Sequence, residues 1–324
     1  MSLTLAEAAK LSQSSLKRGV LETFVQESPI LDRIPFLSIE GNAYSYNEEL
    51  TLPGVAFRAV NGSYPESTGT VNQKSETLVI LGGDADVDRF IQKTRSNLND
   101  QRATQTAMKV KAMSYKFQDT FFNGDTGSDP NGFDGLKKRL TGNQVLSAPN
   151  VLTGIPILGN GGTDVHAFLD ALDRLLASVP GITPANGAIY MNGDLMGKYR
   201  SALRHVGYDT TLQQDVHGKR VLQWNGISVL DAGLNPDGTK ILPNTEEIGV
   251  STTKLTDTAS VYAVRFGNDE GDQAVTGLTN GGVDVQDLGQ LQEKPSYRTR
   301  IEFYTGLAVF GGKAAARLTG VRNA

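Results

Sequence analysis

His166, His205 and His217 are the only imidazoles in a chain of 324 residues, and the chain has no cysteine. Acid–base, nucleophilic and metal chemistry at neutral pH draws first on these residue types. Here the supply is thin. His166 lies in a helical pattern beside apolar positions, and His205 closes another, where a cation meets the negative end of the helix dipole. Both read as structural, since no Gly-x-Ser-x-Gly elbow and no His-Glu-x-x-His helix accompanies them. Without cysteine, disulfide frameworks, thiol nucleophiles and thiolate metal sites are excluded.

The glycines of LGNGGTD (158–164) precede a helix and offer backbone amides to an anion. They lack the Lys and Ser/Thr of a phosphate loop and the third spaced glycine of a dinucleotide turn, so they read as a flexible helix entry. Asp84, Asp86 and Asp88 begin like a calcium loop. The match then fails, because Arg89 stands where Gly is required and Arg95 where Glu is required. As alternating residues of a strand, these acids would line one face and could meet a neighbour's Arg or Lys. Asp125, Asp129, Asn131 and Asp134 form an oxygen-rich cluster, yet Asn, Asp and Gly are also what turns require. No cofactor or metal is expected.

That leaves charges that bind protein. Arg58 and Arg89, with Glu48, Glu49 and Glu66 nearby, are candidates for contacts between subunits, against the plain alternative of a solvated surface. With Lys74, Asp84 and Asp86 they complete the set of candidate contact residues.

The elements that must position these groups follow from periodicity and turn chemistry. An apolar fraction of 39% supports a packed core, and 31 basic against 35 acidic residues give no broad positive field for phosphates. No run reaches the roughly 18 apolar residues that span a bilayer, and the start MSLTLAEAAK reads as neither basic leader nor cleavage site; a soluble, non-secreted protein is expected. Thr4 and Glu7 form a capping box for a short helix, and a second helix is expected from about Lys17 to Glu27. From Gly41 to about Gln92 strand-like runs alternate with Pro53-Gly54, Asn61-Gly62 and Gly82-Gly83, which predicts a long projecting hairpin with a polar tip.

The longest helical signal runs from about Ser96 to Phe122, roughly 40 Å at 1.5 Å per residue. Two apolar stripes predict cover on more than one side: Ala103, Ala107, Val110, Phe117, Phe121 and Met108, Ala112, Tyr115, Phe122. Asn123-Gly124 is the expected left-handed stop. A helix over Thr163 to Val179, a strand over Ala188 to Met191 and a helix over Asp194 to His205 come next, with Thr163 or Asp164 as cap of the first. Arg220 to Trp224 and Ile227 to Leu230 flank Asn225-Gly226, the preferred two-residue hairpin turn. Val261 to Phe266, Thr299 to Phe303 and Thr305 to Phe310 are further strands. Helices and strands mix without strict alternation, so the class is α+β.

The order of these parts resembles the major capsid proteins of tailed bacteriophages with the Hong Kong ninety-seven fold. The resemblance spans nearly the whole chain: an arm with Ser28, Pro29, Ile30, Leu31 and Ile34, Pro35, Phe36; the extended loop; the long helix; FNGD and FDGL around Phe122 and Phe133; a mixed domain; and the closing RTRIEFYTGLAVFGGKAAARLTGV. It implies an N-terminal arm over 1–40 and an extended loop over 41–92. A peripheral domain with the spine helix would cover 93–159 and 281–324, and an axial domain 160–280. It further implies self-assembly through hexameric and pentameric capsomers into an icosahedral shell enclosing the phage genome, built in the host cytoplasm, without specific DNA binding or membrane contact. Some members carry a cleaved scaffolding segment; since this chain starts almost at the arm, the expected partners are a separate scaffolding protein, a portal and decoration proteins. Some also link lysine to asparagine between subunits. Lys74 lies in the right loop, but neither the asparagine nor an assisting glutamate can be placed.

A hairpin and a loose arm bury too little alone to offset about 1 to 2 kcal/mol of backbone ordering per residue, and neighbouring subunits would supply the missing burial. Removing residues 55–85 is therefore expected to leave a foldable chain that cannot close shells. Two other classes compete: another phage structural or encapsulating shell protein, and a soluble α/β hydrolase or transferase with a pocket near the Thr163 helix.

Overall fold

The computed structural model describes residues 28–95, 101–150, 153–159, 161–207, 213–214, 220–250 and 253–324. The two helices expected before Ser28, the Ser96 start of the long helix, and His217 lie outside these residues. Strand β1 (Phe36–Ser38) leads into a hairpin of β2 (Ala43–Thr51) and β3 (Thr70–Thr77), and then β4 (Val79–Asp88) runs directly into helix α1 (Arg89–Arg95). The long helix α2 (Gln101–Asn123) is followed by a one-turn helix α3 (Leu136–Arg139) and short strands β5 (Val145–Ser147) and β6 (Ile155–Pro156). Helix α4 (Gly162–Ala177), strand β7 (Gly187–Met191) and helix α5 (Gly193–Val206) come next. The rest is mostly strand: β8 (Gln213–Gln214), β9 (Arg220–Trp224), β10 (Ile227–Asp231), β11 (Glu246–Val250), β12 (Thr253–Arg265), β13 (Val275–Gln290), β14 (Ser296–Val309) and β15 (Ala315–Arg322).

These strands form three sheets. A nine-stranded mixed sheet runs β5-β15-β12-β7-β10-β9-β8, with β11 on β12 and β6 on β15; a four-stranded sheet runs β1-β13-β14-β4; β2 and β3 pair alone. The central strand β7 is buried throughout, as its continuous apolar run GAIYM requires. Successive side chains of a strand point to opposite faces. Ile189 and Met191, with Val261 and Ala263 of β12, accordingly face a core closed by Val165, Phe168, Leu172 and Leu175 of α4 and Tyr199 and Leu203 of α5. Ala188, Tyr190, Tyr262 and Val264 face the other way, toward Phe117, Phe121 and Phe122 of α2. The long helix thus bridges both large sheets: Phe122 meets Tyr190 and Tyr262 at 5.5 and 5.2 Å between ring centroids, and Phe117 meets Phe303 of β14 at 6.3 Å.

Several local expectations hold for stated reasons. Asn225 and Gly226 adopt φ of 49° and 80°, the left-handed pair that a two-residue turn needs, and Trp224 pairs with Ile227 across it. Helix α5 is capped by Asn192, whose side chain accepts from the Leu195 amide at 2.9 Å, and ends at Gly207 with φ 73°.

Others are corrected. Only one stripe of α2 is covered: Val110, Met113, Phe117, Phe121 and Phe122 are buried, whereas Met108, Ala103, Ala107 and Ala112 are exposed, because sheets pack on one side of the helix only. Gly124 does not turn left-handed; it ends α2 by close approach, its amide bonded to the Thr120 carbonyl at 2.9 Å. Helix α4 takes Gly161 as its cap rather than Thr163 or Asp164. Gly82-Gly83 does not break a strand but lies inside β4, and Thr299 to Val309 belongs to one strand rather than two, held by unbroken pairing to β4 as far as Thr305 and by pairing to β13 with two register shifts. Among the described residues, no helix is long and apolar enough to cross a membrane.

Candidate assembly surface

The β2–β3 hairpin is anchored at its root and bare at its tip. At the root, Tyr46 and Tyr44 pack edge-on against Phe310 at 4.9 and 5.9 Å, in a small core with Ile39, Leu278 and Ala308. The Tyr46 hydroxyl donates to the Val309 carbonyl at 3.2 Å, and burial, with Glu76 nearby, holds its pKa above the usual phenol value. Beyond Thr51 regular pairing ends, and every residue from 52 to 69 is exposed. The tip is not the polar loop expected. Phe57 is 108% exposed and Val55 95%, with Leu52, Val60 and Tyr64 also in solvent. Leu52, Val55, Phe57 and Val60 lie on the outgoing limb, ahead of the polar run that follows Asn61.

The candidate contact residues fall into two groups. Arg58, Glu66 and Arg89 are available. The Arg58 guanidinium lies 5.3 Å from the Tyr64 ring and donates to the Gly62 carbonyl within the tip, while Glu66 and Arg89 are exposed and have no ion-pair partner among the described residues. Lys74, Asp84 and Asp86 are engaged within the chain. Lys74 pairs with Glu48 across the hairpin at 2.7 Å. Asp84 and Asp86 do line one face of a strand, but the arginines opposite them belong to β14 of the same chain, at registers Arg300↔Asp84 and Arg298↔Asp86. Each pair is bidentate, with distances of 2.6 to 3.0 Å. Hydrogen bonds from these guanidiniums hold both carboxyls below the usual carboxylate range.

Strand β4 pairs with β14 from Val79 to Asp88 and contributes buried Ala85 and Val87. The projecting part therefore ends at Thr77, and a deletion of 55–85 would cut into the four-stranded sheet.

The remaining polar clusters have structural work. Asp125 and Asp134 converge on the Lys138 ammonium at 2.6 and 2.9 Å and accept from the Gly127 and Thr126 amides, as turn residues do. His166 and His205 are exposed on α4 and α5. A cleft of about 760 Å³ lies at the hairpin root, lined in part by Glu48, Gln144, Pro180, Arg265 and Lys313. Its Glu48 is held by Lys74, and the Arg265 guanidinium donates to the Pro180, Asp272 and Gln273 carbonyls.

The charges of α3 pair with acids that no sequence motif marks. Arg139 forms a bidentate pair with Glu76 in β3, and Lys137 reaches Glu246 in β11. The Lys137-Lys138-Arg139 triplet is the available signal, but nothing in the sequence names its two distant partners, Glu76 and Glu246.

Residues 13–166, from the N-terminal region through the hairpin and the long helix into α4, match the family model of major capsid protein GP7. No curated protein matches the chain in sequence. Solved structures do match in three dimensions. An encapsulin, SrpI of Synechococcus elongatus PCC 7942, is 16% identical with a TM-score of 0.64, covering 100% of this chain and 97% of its own. The capsid of a native GTA particle is 15% identical at 0.62, covering 91% and 90%. A chain of Mycobacterium phage Bobi is 13% identical at 0.53, covering 98% of both. At such identities the likeness is one of fold: a mixed α/β fold similar to that of the Hong Kong ninety-seven capsids and the encapsulins. The family model matched by residues 13–166 is that of a major capsid protein, and it points the same way as the fold.

Proposed function

We propose that this chain closes an icosahedral shell of hexameric and pentameric capsomers around a phage genome, with the 52–69 hairpin tip as its principal contact with a neighbouring subunit. One observation carries the reading: four apolar side chains, Leu52, Val55, Phe57 and Val60, stand in solvent on a projecting loop anchored only at its root. Such a cluster has no role in the isolated fold and gains burial only against another molecule. In this reading the arm over 1–40, the spine helix region and the axial region around α4, α5 and β7 supply the other contacts. Arg58, Glu66 and Arg89 are its charged contact residues, whereas Lys74, Asp84 and Asp86 stiffen the subunit itself. The chain works without catalysis, in the virion, after assembly in the host cytoplasm with a scaffolding protein, a portal and decoration proteins as partners.

The test is a chain in which residues 53–68 are replaced by a two-residue turn. Thermal unfolding followed by circular dichroism should match the parent, and electron microscopy should find no closed shells. Normal shells would overturn the role given to the hairpin. The full-length likeness to an encapsulin favours a second reading, a shell that encloses protein cargo. Nuclease-protected DNA inside purified particles supports the first reading, and co-purifying protein cargo without DNA the second.

A further inference from the structure

Two glycines place the α3 turn. The Gly135 amide donates to the Gly124 carbonyl at 2.9 Å, and a Cβ on Gly135 would lie 2.5 Å from the Thr120 carbonyl oxygen. The 124–135 loop therefore folds back tightly on the end of α2 and delivers three consecutive cations, Lys137, Lys138 and Arg139, to one spot. Each is spent on a different element. Lys138 sits between Asp125 and Asp134 of the loop. Lys137 lies 3.2 Å from Glu246 of β11, a buried carboxylate that also accepts from Ser260 and from Arg317 of β15. Arg139 grips Glu76 of β3 with both terminal nitrogens while its Nε donates to the Asp134 carbonyl at 2.6 Å. The Arg139 and Glu76 side chains are each only 16% exposed, and the Tyr46 hydroxyl of β2 lies 3.5 Å from the Glu76 carboxylate.

We propose that α3 is a charge latch: the Arg139–Glu76 pair fixes the root of the hairpin to the junction of the long helix and the nine-stranded sheet, and so sets the direction in which the tip projects. The inference deepens the reading above, since it assigns the control of the hairpin proposed as the assembly contact. The geometry favours a directional lock over a simple surface pair. A bidentate guanidinium–carboxylate contact fixes orientation as well as distance, and the aromatic anchor of Tyr44 and Tyr46 on Phe310 holds the root from the other side.

Hydrogen exchange tests this in the purified full-length chain. Backbone amides of residues 44–48 and 71–76 are compared in the parent, Arg139→Gln, Glu76→Gln and the exchange of the two charges, E76R/R139E. Loss of the pair should speed exchange at the hairpin root about fivefold to tenfold while β12 keeps its protection, and the exchanged pair should recover part of the difference. Should Arg139→Gln fail to fold, Glu76→Gln still reports, because it leaves the Arg139 bond to Asp134 intact. Root exchange within twofold of the parent in the folded single variants overturns the latch. Faster root exchange with normal shells upholds the latch and counts against the hairpin's assembly role instead.

Discussion

The Arg298 guanidinium holds the Asp86 carboxylate through two parallel hydrogen bonds, Nε to Oδ1 at 2.7 Å and a terminal nitrogen to Oδ2 at 2.6 Å, across β14 and β4. Arg298 also reaches Asp84 at 3.2 Å, so two acids and the arginines Arg298 and Arg300 form a continuous ladder. It lowers the pKa of both carboxyls. A carboxyl with a depressed folded pKa contributes stability that is present above its unfolded value, near about 3.9, and lost as pH falls through the folded value. Arg298→Ala should therefore raise the Asp86 pKa toward the ordinary range, seen by side-chain carboxyl NMR. Stability of the parent should fall below about pH 4 more steeply than that of the variant. An unchanged Asp86 titration would refute the ladder.

Phe117 is the pivot of the core shared by α2 and the four-stranded sheet. It is fully buried, with Phe133, Phe36 and Phe303 at 5.8, 6.2 and 6.3 Å between ring centroids. Phe117→Ala should cost about 3–5 kcal/mol, measured by denaturant unfolding of unassembled chain.

Two glycines should respond oppositely to alanine. At Gly135 a Cβ would meet backbone atoms at 2.5 to 2.8 Å, so Gly135→Ala should destabilise by about 1–3 kcal/mol. At Gly197, exposed inside α5, a Cβ would meet nothing within 4 Å. Gly197→Ala should stabilise by about 0.5–1 kcal/mol, because alanine suits a helix interior better. Thermal unfolding of both variants checks the contrast.

Phe57 separates folding from assembly. Being wholly in solvent, it contributes no packing to the isolated chain. Phe57→Ser should leave unfolding within about 0.5 kcal/mol of the parent and sharply lower the yield of closed particles in sedimentation. A large loss of stability would show that the side chain packs within its own subunit.

Local chemistry made several of these features readable in advance. Asn225-Gly226 is a turn by its own conformational preferences, the α4 pattern of Val165, Phe168, Leu172 and Leu175 amounts to a buried helix face, and the apolar run Ala188 to Met191 reads as a strand. The succession of hairpin, long helix and the α4–β7–α5 segment was likewise legible. What the sequence could not show is which groups separated along the chain meet. Asp86 and Arg298 are 212 residues apart, and Glu76 and Arg139 are 63 apart. The alternation of acids along β4 announced a charged strand face, and only the pairing of β4 with β14 decided that its partners lie within the chain rather than in a neighbour. The same holds for α2, where an apolar residue such as Met108 looks like core until the sheets are seen to pack on the opposite side. Periodicity and turn preference are local energies that the sequence writes down directly; charge pairing and burial depend on long-range topology, which the tertiary structure alone decides.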